Sequence, residues 1–93
     1  MLESNLELKV VKLCKRWGMI TYKFVSPSNR GVPDRIIICN GSVLFLELKQ
    51  AGKKPTSLQM HEINRLRKSG CNAEWADNYD TAKSILLDHI IPK

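Results

Sequence analysis

The dipeptide Asn40-Gly41, set between two apolar runs, constrains the fold of this chain more than any other feature. The run before it reads "RIIIC" and the run after it begins "SVLFLELK". Asn-Gly favours the two-residue turn of a β-hairpin, because both residues accept positive φ angles. The second run is apolar at nearly every position up to Glu47, which is typical of a strand covered on both faces. We therefore predict a hairpin whose return strand lies inside a sheet.

The residues ahead of this hairpin predict a helix and a strand. Between Glu3 and Trp17 apolar residues recur at helical spacing, and Gly18 is placed as the C-cap. From Met19 to Val25 the sequence alternates and is rich in β-branched and aromatic residues, which predicts a strand. A polar loop, "SPSNRG", then leads to the hairpin.

Two helices and a strand are predicted after the hairpin. The first helix runs from Thr56 to Ser69, with a capping box between Thr56 and Gln59. Its inward-facing residues are predicted to be Leu58, Ile63 and Leu66. The segment "NAEWAD" predicts a strand, and a closing helix follows with Asp80 as its N-cap. The order α-β-β-β-α-β-α predicts an α/β fold, a mixed sheet flanked by helices in a single domain over residues 1–93.

Three charged residues stand at the open end of the predicted hairpin. Asp34 follows Pro33 at the start of the first strand, and Glu47 and Lys49 end the second on one face. A short turn makes Asp34 and Glu47 cross-strand neighbours. Two neighbouring carboxylates repel each other unless a cation lies between them, and hard oxygen ligands suit Mg²⁺ or Mn²⁺. Lys49 is then placed to orient an attacking water or to neutralise charge on a phosphate.

The charge balance indicates the substrate of such a site. Fifteen Lys and Arg residues against nine Asp and Glu residues give a net charge of +6, which favours a polyanionic partner. A phosphodiester-hydrolysis site on a basic protein predicts a nuclease. Glu7 of the first helix is a candidate third acidic ligand, with Glu3 as the alternative. Contacts to the DNA backbone, or plain solvated surface, are the two interpretations of Tyr22, Lys23, Ser26 and Arg30. Lys53 and Lys54, on the basic loop just beyond Lys49, are interpreted as contacts to phosphate.

Other features exclude whole classes of protein. No apolar run approaches the roughly 20 residues of a membrane span, and charges interrupt the N-terminal segment, so we expect a cytoplasmic protein. Cys14, Cys39 and Cys71 lack the spacing of a zinc site or a disulfide framework and are expected to be free thiols. His61 and His89 are isolated and are interpreted as helix surface.

Several motifs together resemble one known family. "YKFVSPSNRG", "GVPDR", "LFLELK" and "KKPTSLQMHEINRLRKSG" look like the VRR-NUC domain, the virus-type replication and repair nuclease branch of the PD-(D/E)XK superfamily. The resemblance extends from about residue 3 to residue 88. It implies a restriction-endonuclease-like fold and a nuclease that depends on Mg²⁺ or Mn²⁺, of a kind often found in bacteriophages and their bacterial hosts.

The resemblance also implies roles for particular residues. The family's two metal-binding carboxylates match Asp34 and Glu47, and its catalytic lysine matches Lys49. The backbone carbonyl of Leu48 is implied as a further metal ligand, and Glu7, or alternatively Glu3, as the glutamate of the first helix. Gln59 matches a glutamine near the active site, although a capping box alone also explains it.

The sequence leaves the substrate and the assembly open. A homodimer that cuts Holliday junctions is the leading hypothesis, since two sites related by symmetry cut two strands of a symmetric junction. A monomeric nuclease of flaps or replication forks, a non-catalytic nucleic-acid binder and a protein-interaction module are the alternatives. The apolar segment "ILLDHII" suggests either a subunit interface or a buried closing helix.

Overall fold

The structure, a computed structural model, describes residues 2–90, apart from the side chain of Glu3. Its elements are α1 (Glu3–Arg16), β1 (Ile20–Lys23), β2 (Arg35–Cys39), β3 (Ser42–Leu48), α2 (Ser57–Lys68), β4 (Asn72–Ala76) and α3 (Tyr79–His89). The strands form a sheet in the order β1-β2-β3-β4. β3 and β4 are parallel, whereas the other two pairs are antiparallel. The predicted mixed sheet flanked by helices, in the order α-β-β-β-α-β-α, is confirmed.

The hairpin at the centre of the prediction forms as expected. Asn40 and Gly41 have φ angles of 51° and 82°, and the flanking residues Cys39 and Ser42 pair with each other. Positive φ at both turn positions is the geometry that Asn-Gly favours. β3 lies between β2 and β4, so it is an inner strand.

The two faces of the sheet are covered by different helices. α1 and α3 pack on one face, where the alternate residues Leu44, Leu46 and Leu48 of β3 are fully buried. α2 packs on the other face, and Ile63 is buried there. Since Glu47 alternates with the three leucines, it points to the α2 face. The main core consists of Leu6, Val10, Leu13, Cys14, Met19, Ile37, Leu44, Leu46, Leu48, Ala76, Ala82, Leu86 and Ile90.

The first helix and strand are shorter than the sequence predicts. Trp17, rather than Gly18, is the C-cap of α1, and Gly18 follows it with a φ of 71°. The N–H of Met19 then donates to the carbonyl of Cys14 at 2.8 Å, as in a Schellman motif. β1 covers only Ile20–Lys23 of the predicted 19–25.

One inward-facing residue of α2 was predicted wrongly. Ile63 is buried and Leu66 half-buried, but Leu58 is 48% exposed, and Glu62 takes a buried position instead. Leu58 lies against Gly31 in the loop before β2, where an added Cβ would come within 3.0 Å of it. Glu62 tolerates burial because Arg65 donates to its carboxylate at 2.9 Å.

The N-cap of the closing helix was also predicted wrongly. Asn78 caps α3, because its Oδ1 accepts the N–H of Thr81 at 2.8 Å. Asp80 instead lies in the first turn, where its negative charge interacts favourably with the positive end of the helix dipole. Ala82, Leu86 and Ile90 are buried in the core, which favours the buried closing helix over an interface. Ile91 of the apolar segment lies outside the described residues.

Two expectations about exclusion can be compared with the described residues. The three cysteines are free, as expected, and burial raises the pKa of the Cys14 thiol to about 11. Among residues 2–90, no helix has the length and apolar character needed to cross a membrane.

Candidate active site

The three charged residues of the hairpin meet at one end of the sheet. The register pairs Arg35 with Leu46, and continuing it by one residue sets Asp34 opposite Glu47. Oδ2 of Asp34 accepts the backbone N–H of Leu48 at 2.9 Å, which ties the carboxylate to β3. Nζ of Lys49 lies 3.9 Å from Oε2 of Glu47. The hairpin therefore brings two carboxylates and one ammonium group together, as its sequence predicts.

Burial sets these charges apart from ordinary surface charges. The side chain of Glu47 is only 2% exposed and that of Lys49 only 15%. Desolvation raises the pKa of Asp34 above its usual value, and the negative charge of Glu7 adds to this effect. The hydrogen bond from Leu48 and the charges of Lys23 and Lys49 act in the opposite direction. The fold thus keeps carboxylates poorly hydrated at one place, which costs stability unless a cation compensates.

Gln59 joins α2 to this group of charges. Its Nε2 donates to Oε2 of Glu47 at 3.1 Å, and its Oε1 accepts from Nζ of Lys49 at 3.2 Å. The same Oε1 accepts the N–H of Thr56, and the hydroxyl of Thr56 accepts the N–H of Gln59. Gln59 therefore belongs both to the capping box and to the site, where the sequence had left these two interpretations as alternatives.

Glu7 lies in a different setting from the other two carboxylates. Its Oε2 accepts from Nη1 of Arg35 at 3.0 Å and from Nζ of Lys23 at 3.4 Å. Arg35 also donates to the hydroxyl of Thr21 at 3.2 Å. The side chain of Glu3 lies outside the described residues. In the described part of the chain, no three His, Cys, Asp or Glu side chains are grouped closely enough to hold a metal ion.

The donor set nevertheless fits a hard divalent cation. Mg²⁺ is usually held by one or two carboxylates and completes its shell with water and substrate phosphate oxygens. Asp34 and Glu47 supply two carboxylates, so a third is not required. The backbone N–H of Leu48 points to Asp34, and the N–H and C=O of a strand residue point to the same neighbour, so its carbonyl faces that way too. The predicted ligands therefore agree with the chemistry of the ion.

The residues predicted to contact DNA surround this end of the sheet. Tyr22, Arg30, Lys53 and Lys54 are exposed. Lys23 is exposed but pairs with Glu7, and the hydroxyl of Ser26 accepts from Asn29 at 3.3 Å. The N–H of Gly52 donates to Asp77 at 3.1 Å, which holds the loop that carries Lys53 and Lys54 against the end of β4. His61 is exposed. His89 lies 3.0 Å from Glu74 and is far in sequence from the residues predicted to contact DNA.

Sequence reasoning missed the part played by Arg35 and Asp77. Arg35 holds Glu7 beside the hairpin, and Asp77 anchors the basic loop. Arg35 stands next to Asp34 in the sequence, and its charge in an otherwise apolar strand was the available signal. Asp77 gave no comparable signal, because its partner Gly52 is 25 residues away.

Exchanging Gln59 for alanine tests its double role. We expect Gln59→Ala to lower the rate of substrate turnover by about 10- to 100-fold, the usual effect of losing a group that orients metal ligands. The matched variant Thr56→Ala removes only the cap and is expected to cost about 1 kcal/mol of stability. Urea unfolding and turnover at saturating substrate are measured for both. Equal turnover in the two variants would contradict a role of Gln59 in the site.

Comparisons with known proteins were made by family, by sequence and by fold. No family model matches the chain. It is 42% identical over 79 residues to "Putative nuclease p44" of Acyrthosiphon pisum secondary endosymbiont phage 1, covering 84% of this chain and 85% of that protein. A solved "VRR_NUC domain" aligns with a TM-score of 0.83 at 23% identity, over 95% of this chain and 96% of its own. A "VRR_NUC domain protein" aligns with a TM-score of 0.82 at 23% identity, over 100% and 91%.

Proposed function

We propose that this chain, which belongs to the VRR-NUC family of nucleases, is a metal-dependent DNA endonuclease. The observation that carries the proposal is the meeting of Asp34, Glu47 and Lys49 at one end of the sheet. Burying such charges is costly, and metal-assisted hydrolysis of a phosphodiester uses this combination of oxygen ligands and a fixed cation.

Each residue of the site has a distinct proposed part. Asp34 and Glu47, with the carbonyl of Leu48, would hold Mg²⁺ or Mn²⁺, and Glu7, whose carboxylate pairs with Arg35 and Lys23, is the proposed third acidic group of the metal shell. When bound, the ion activates the attacking water and neutralises charge on the phosphate oxygens. Lys49 donates to the phosphate oxygen on which negative charge develops. Gln59 is a positioning residue, because its amide holds both Glu47 and Lys49 in place.

The exposed residues around the site are proposed to bind the DNA backbone. Arg30, Lys53 and Lys54 supply positive charge, and Tyr22 and Ser26 supply hydroxyl groups, which donate to phosphate oxygens. Lys23 is also proposed to contact the DNA backbone, and its ammonium group pairs with Glu7 in the unbound protein. Contacts to phosphates fix position and orientation but read no sequence, so the proposed recognition is of DNA structure.

We further propose that two copies form a homodimer that cuts Holliday junctions. α2 packs on β4, and on the same face of the sheet Ile20 of β1 and Val43 of β3 are exposed by 50% and 38%. Ile38 lies between them in the register and is half-buried. An apolar and uncharged row on a protein of net charge +6 supports contact between two copies there.

The test is cleavage of labelled four-way junction, flap, splayed and linear duplex DNA in Mg²⁺, in Mn²⁺ and in EDTA. We expect cutting only with metal, and paired symmetric cuts in the junction at rates above those for the linear duplex. Light scattering is expected to give twice the mass of the chain.

Each remaining outcome corrects a different part of the proposal. Cutting of flaps by a monomer would replace the junction resolvase with a flap or replication-fork nuclease. Binding of DNA by folded protein without any cutting would overturn catalysis and leave a non-catalytic binder. Equal rates in EDTA and in Mg²⁺ would overturn the metal dependence.

A further inference from the structure

A group of basic side chains that the proposed site does not use lies on α1 and α3. We call it the α1 basic surface, and it consists of Lys9, Lys12 and Arg16 around the ring of Tyr79, together with Lys83 beside the ring of Trp17. Lys9, Lys12, Arg16 and Tyr79 line one hollow of about 230 Å³. Nη2 of Arg16 donates to the hydroxyl of Tyr79 at 3.4 Å, and Nζ of Lys9 lies 5.9 Å from the centre of that ring. The hollow therefore combines three cations with one hydroxyl group.

The cations of this surface form no salt bridge with any side chain that the structure describes. Among residues 2–90, the salt bridges engage Lys23, Arg35, Lys49, Arg65, Arg67 and His89, and none engages a member of the α1 basic surface. Lys9 and Lys12 are three residues apart on α1, and Lys12 and Arg16 are four apart. Like charges at these spacings on a helix repel each other. A bound polyanion would screen this repulsion, so the repulsion favours the binding of a polyanion to the surface.

The aromatic rings hold the cations in place. The ammonium groups of Lys9 and Lys83 each lie 5.9 Å from a ring centre, that of Tyr79 and that of Trp17 respectively. Contacts of this kind are favourable and reduce the freedom of a long side chain. Cations that are held before a ligand arrives lose less entropy when they bind it.

The position of the surface relative to the proposed site is defined by the fold. α1 and α3 cover the face of the sheet opposite to the face of Glu47 and Gln59. Tyr79 follows Ala76 by three residues, and the carbonyl of Ala76 accepts the N–H of Lys49 at 2.9 Å. Three residues span at most about 11 Å, so the backbone of Tyr79, one of the residues that line the hollow, lies near the end of the sheet that carries Lys49. A single straight contact cannot cover both faces, but a bent or branched DNA can.

We propose that the α1 basic surface binds the phosphate backbone of a DNA segment that lies outside the segment being cut. The inference rests on the proposed nuclease function and assigns a second contact to the same substrate. Lysine and arginine with a tyrosine hydroxyl are the groups that contact DNA phosphates, and such contacts add affinity and orientation. The second segment reaches the α1 face while the scissile phosphate lies at Lys49.

The experiment compares two double variants of equal net charge. Lys9→Gln/Lys12→Gln removes two cations of the hollow, and Lys15→Gln/Lys68→Gln removes two exposed cations outside it. Binding of a labelled four-way junction is measured by fluorescence anisotropy in EDTA over a series of salt concentrations. Loss of two phosphate contacts is expected to reduce the slope of log K against log salt by about 1.8 and to raise Kd by about 60-fold near 0.1 M salt. The control pair is expected to change the slope by less than about 0.5.

The result separates this inference from the proposed function. Equal slopes for the two double variants, or a junction that does not bind at all, would overturn the phosphate-binding surface and leave any metal-dependent cutting untouched. A clear difference in slope together with an absence of cutting by the unmodified chain would overturn the nuclease and support the surface. If the α1 basic surface binds an acidic protein instead of DNA, the two double variants would bind the junction with equal slopes, and the inference would be overturned.

Discussion

Lys49→Ala is expected to lower the single-turnover rate of junction cleavage by about 100- to 1,000-fold, the usual loss when one group that stabilises transition-state charge is removed. Nζ of Lys49 is 3.9 Å from the carboxylate of Glu47 and donates to Gln59 at 3.2 Å. A fixed cation at this place helps most when negative charge builds up on the phosphate. Rates are measured with enzyme in excess over DNA and saturating Mg²⁺, so that binding does not limit them.

The control for this variant is an exposed lysine of the same protein. Lys68→Ala removes equal charge at the C-terminal end of α2, remote from the hairpin in sequence, and is expected to keep the cleavage rate within about twofold. Anisotropy in EDTA checks that Lys49→Ala still binds the junction, and circular dichroism checks that it is folded. A folded and binding Lys49→Ala protein that cuts at the normal rate would contradict the proposed role.

Asp34→Asn is expected to change activity and stability in opposite directions. Cleavage is expected to fall by at least about 100-fold, more than the loss typical of a residue that only supports a metal ligand. The free energy of unfolding in EDTA is expected to rise at pH 7. The amide oxygen still accepts the N–H of Leu48, while the desolvated negative charge is removed.

The pH dependence follows from the sign of the pKa shift. The pKa of Asp34 is raised in the folded protein because burial desolvates the carboxylate. The folded state therefore binds the proton more tightly than the unfolded chain, and ionisation costs stability as the pH rises through the folded pKa. The advantage of Asp34→Asn is accordingly expected at neutral pH and is expected to vanish below the ordinary pKa of 3.8.

Asp77→Asn is a control with the opposite expected effect, a lower free energy of unfolding at pH 7. Hydrogen bonds from the side chain of Asn78 and from the N–H of Gly52 lower the pKa of Asp77, so its ionised form stabilises the fold. This stability is present above the ordinary pKa of 3.8 and is lost as the pH falls through the lowered value. Urea unfolding between pH 3 and pH 7 measures both variants. A loss of stability for Asp34→Asn at pH 7 would show that the buried negative charge of Asp34 does not destabilise the metal-free protein.

Opposite effects of Asp34→Asn on activity and stability have a general meaning. A site that binds a cation must hold its carboxylates together before the cation arrives, and the folded protein bears the cost of that arrangement. The same reasoning applies to the like charges of the α1 basic surface. In both places the unbound protein keeps charges that its ligand is proposed to neutralise.

The features that the sequence predicted correctly depend on short separations along the chain. Asn40-Gly41 defines a two-residue turn, and the turn defines the register, so Asp34 and Glu47 face each other whatever the rest of the fold does. The capping box of Thr56 and Gln59 spans three residues and forms as predicted. The prediction for Leu58 was wrong because Leu58 packs against Gly31 of the loop before β2 instead of entering the core, and the prediction for Asp80 was wrong because Asn78, two residues earlier, caps α3.

The hairpin, the order of the elements and the charged residues at the hairpin's open end follow from local patterns, because turn chemistry and the two-residue period of a strand specify them. The packing of the elements, in contrast, is what pairs Glu7 with Arg35, joins Glu47 to Lys49 through Gln59, and brings Arg16 to Tyr79. Those pairs join separate elements, up to 63 residues apart in the last case. Their formation depends on how helices pack on the two faces of the sheet, which no local pattern specifies.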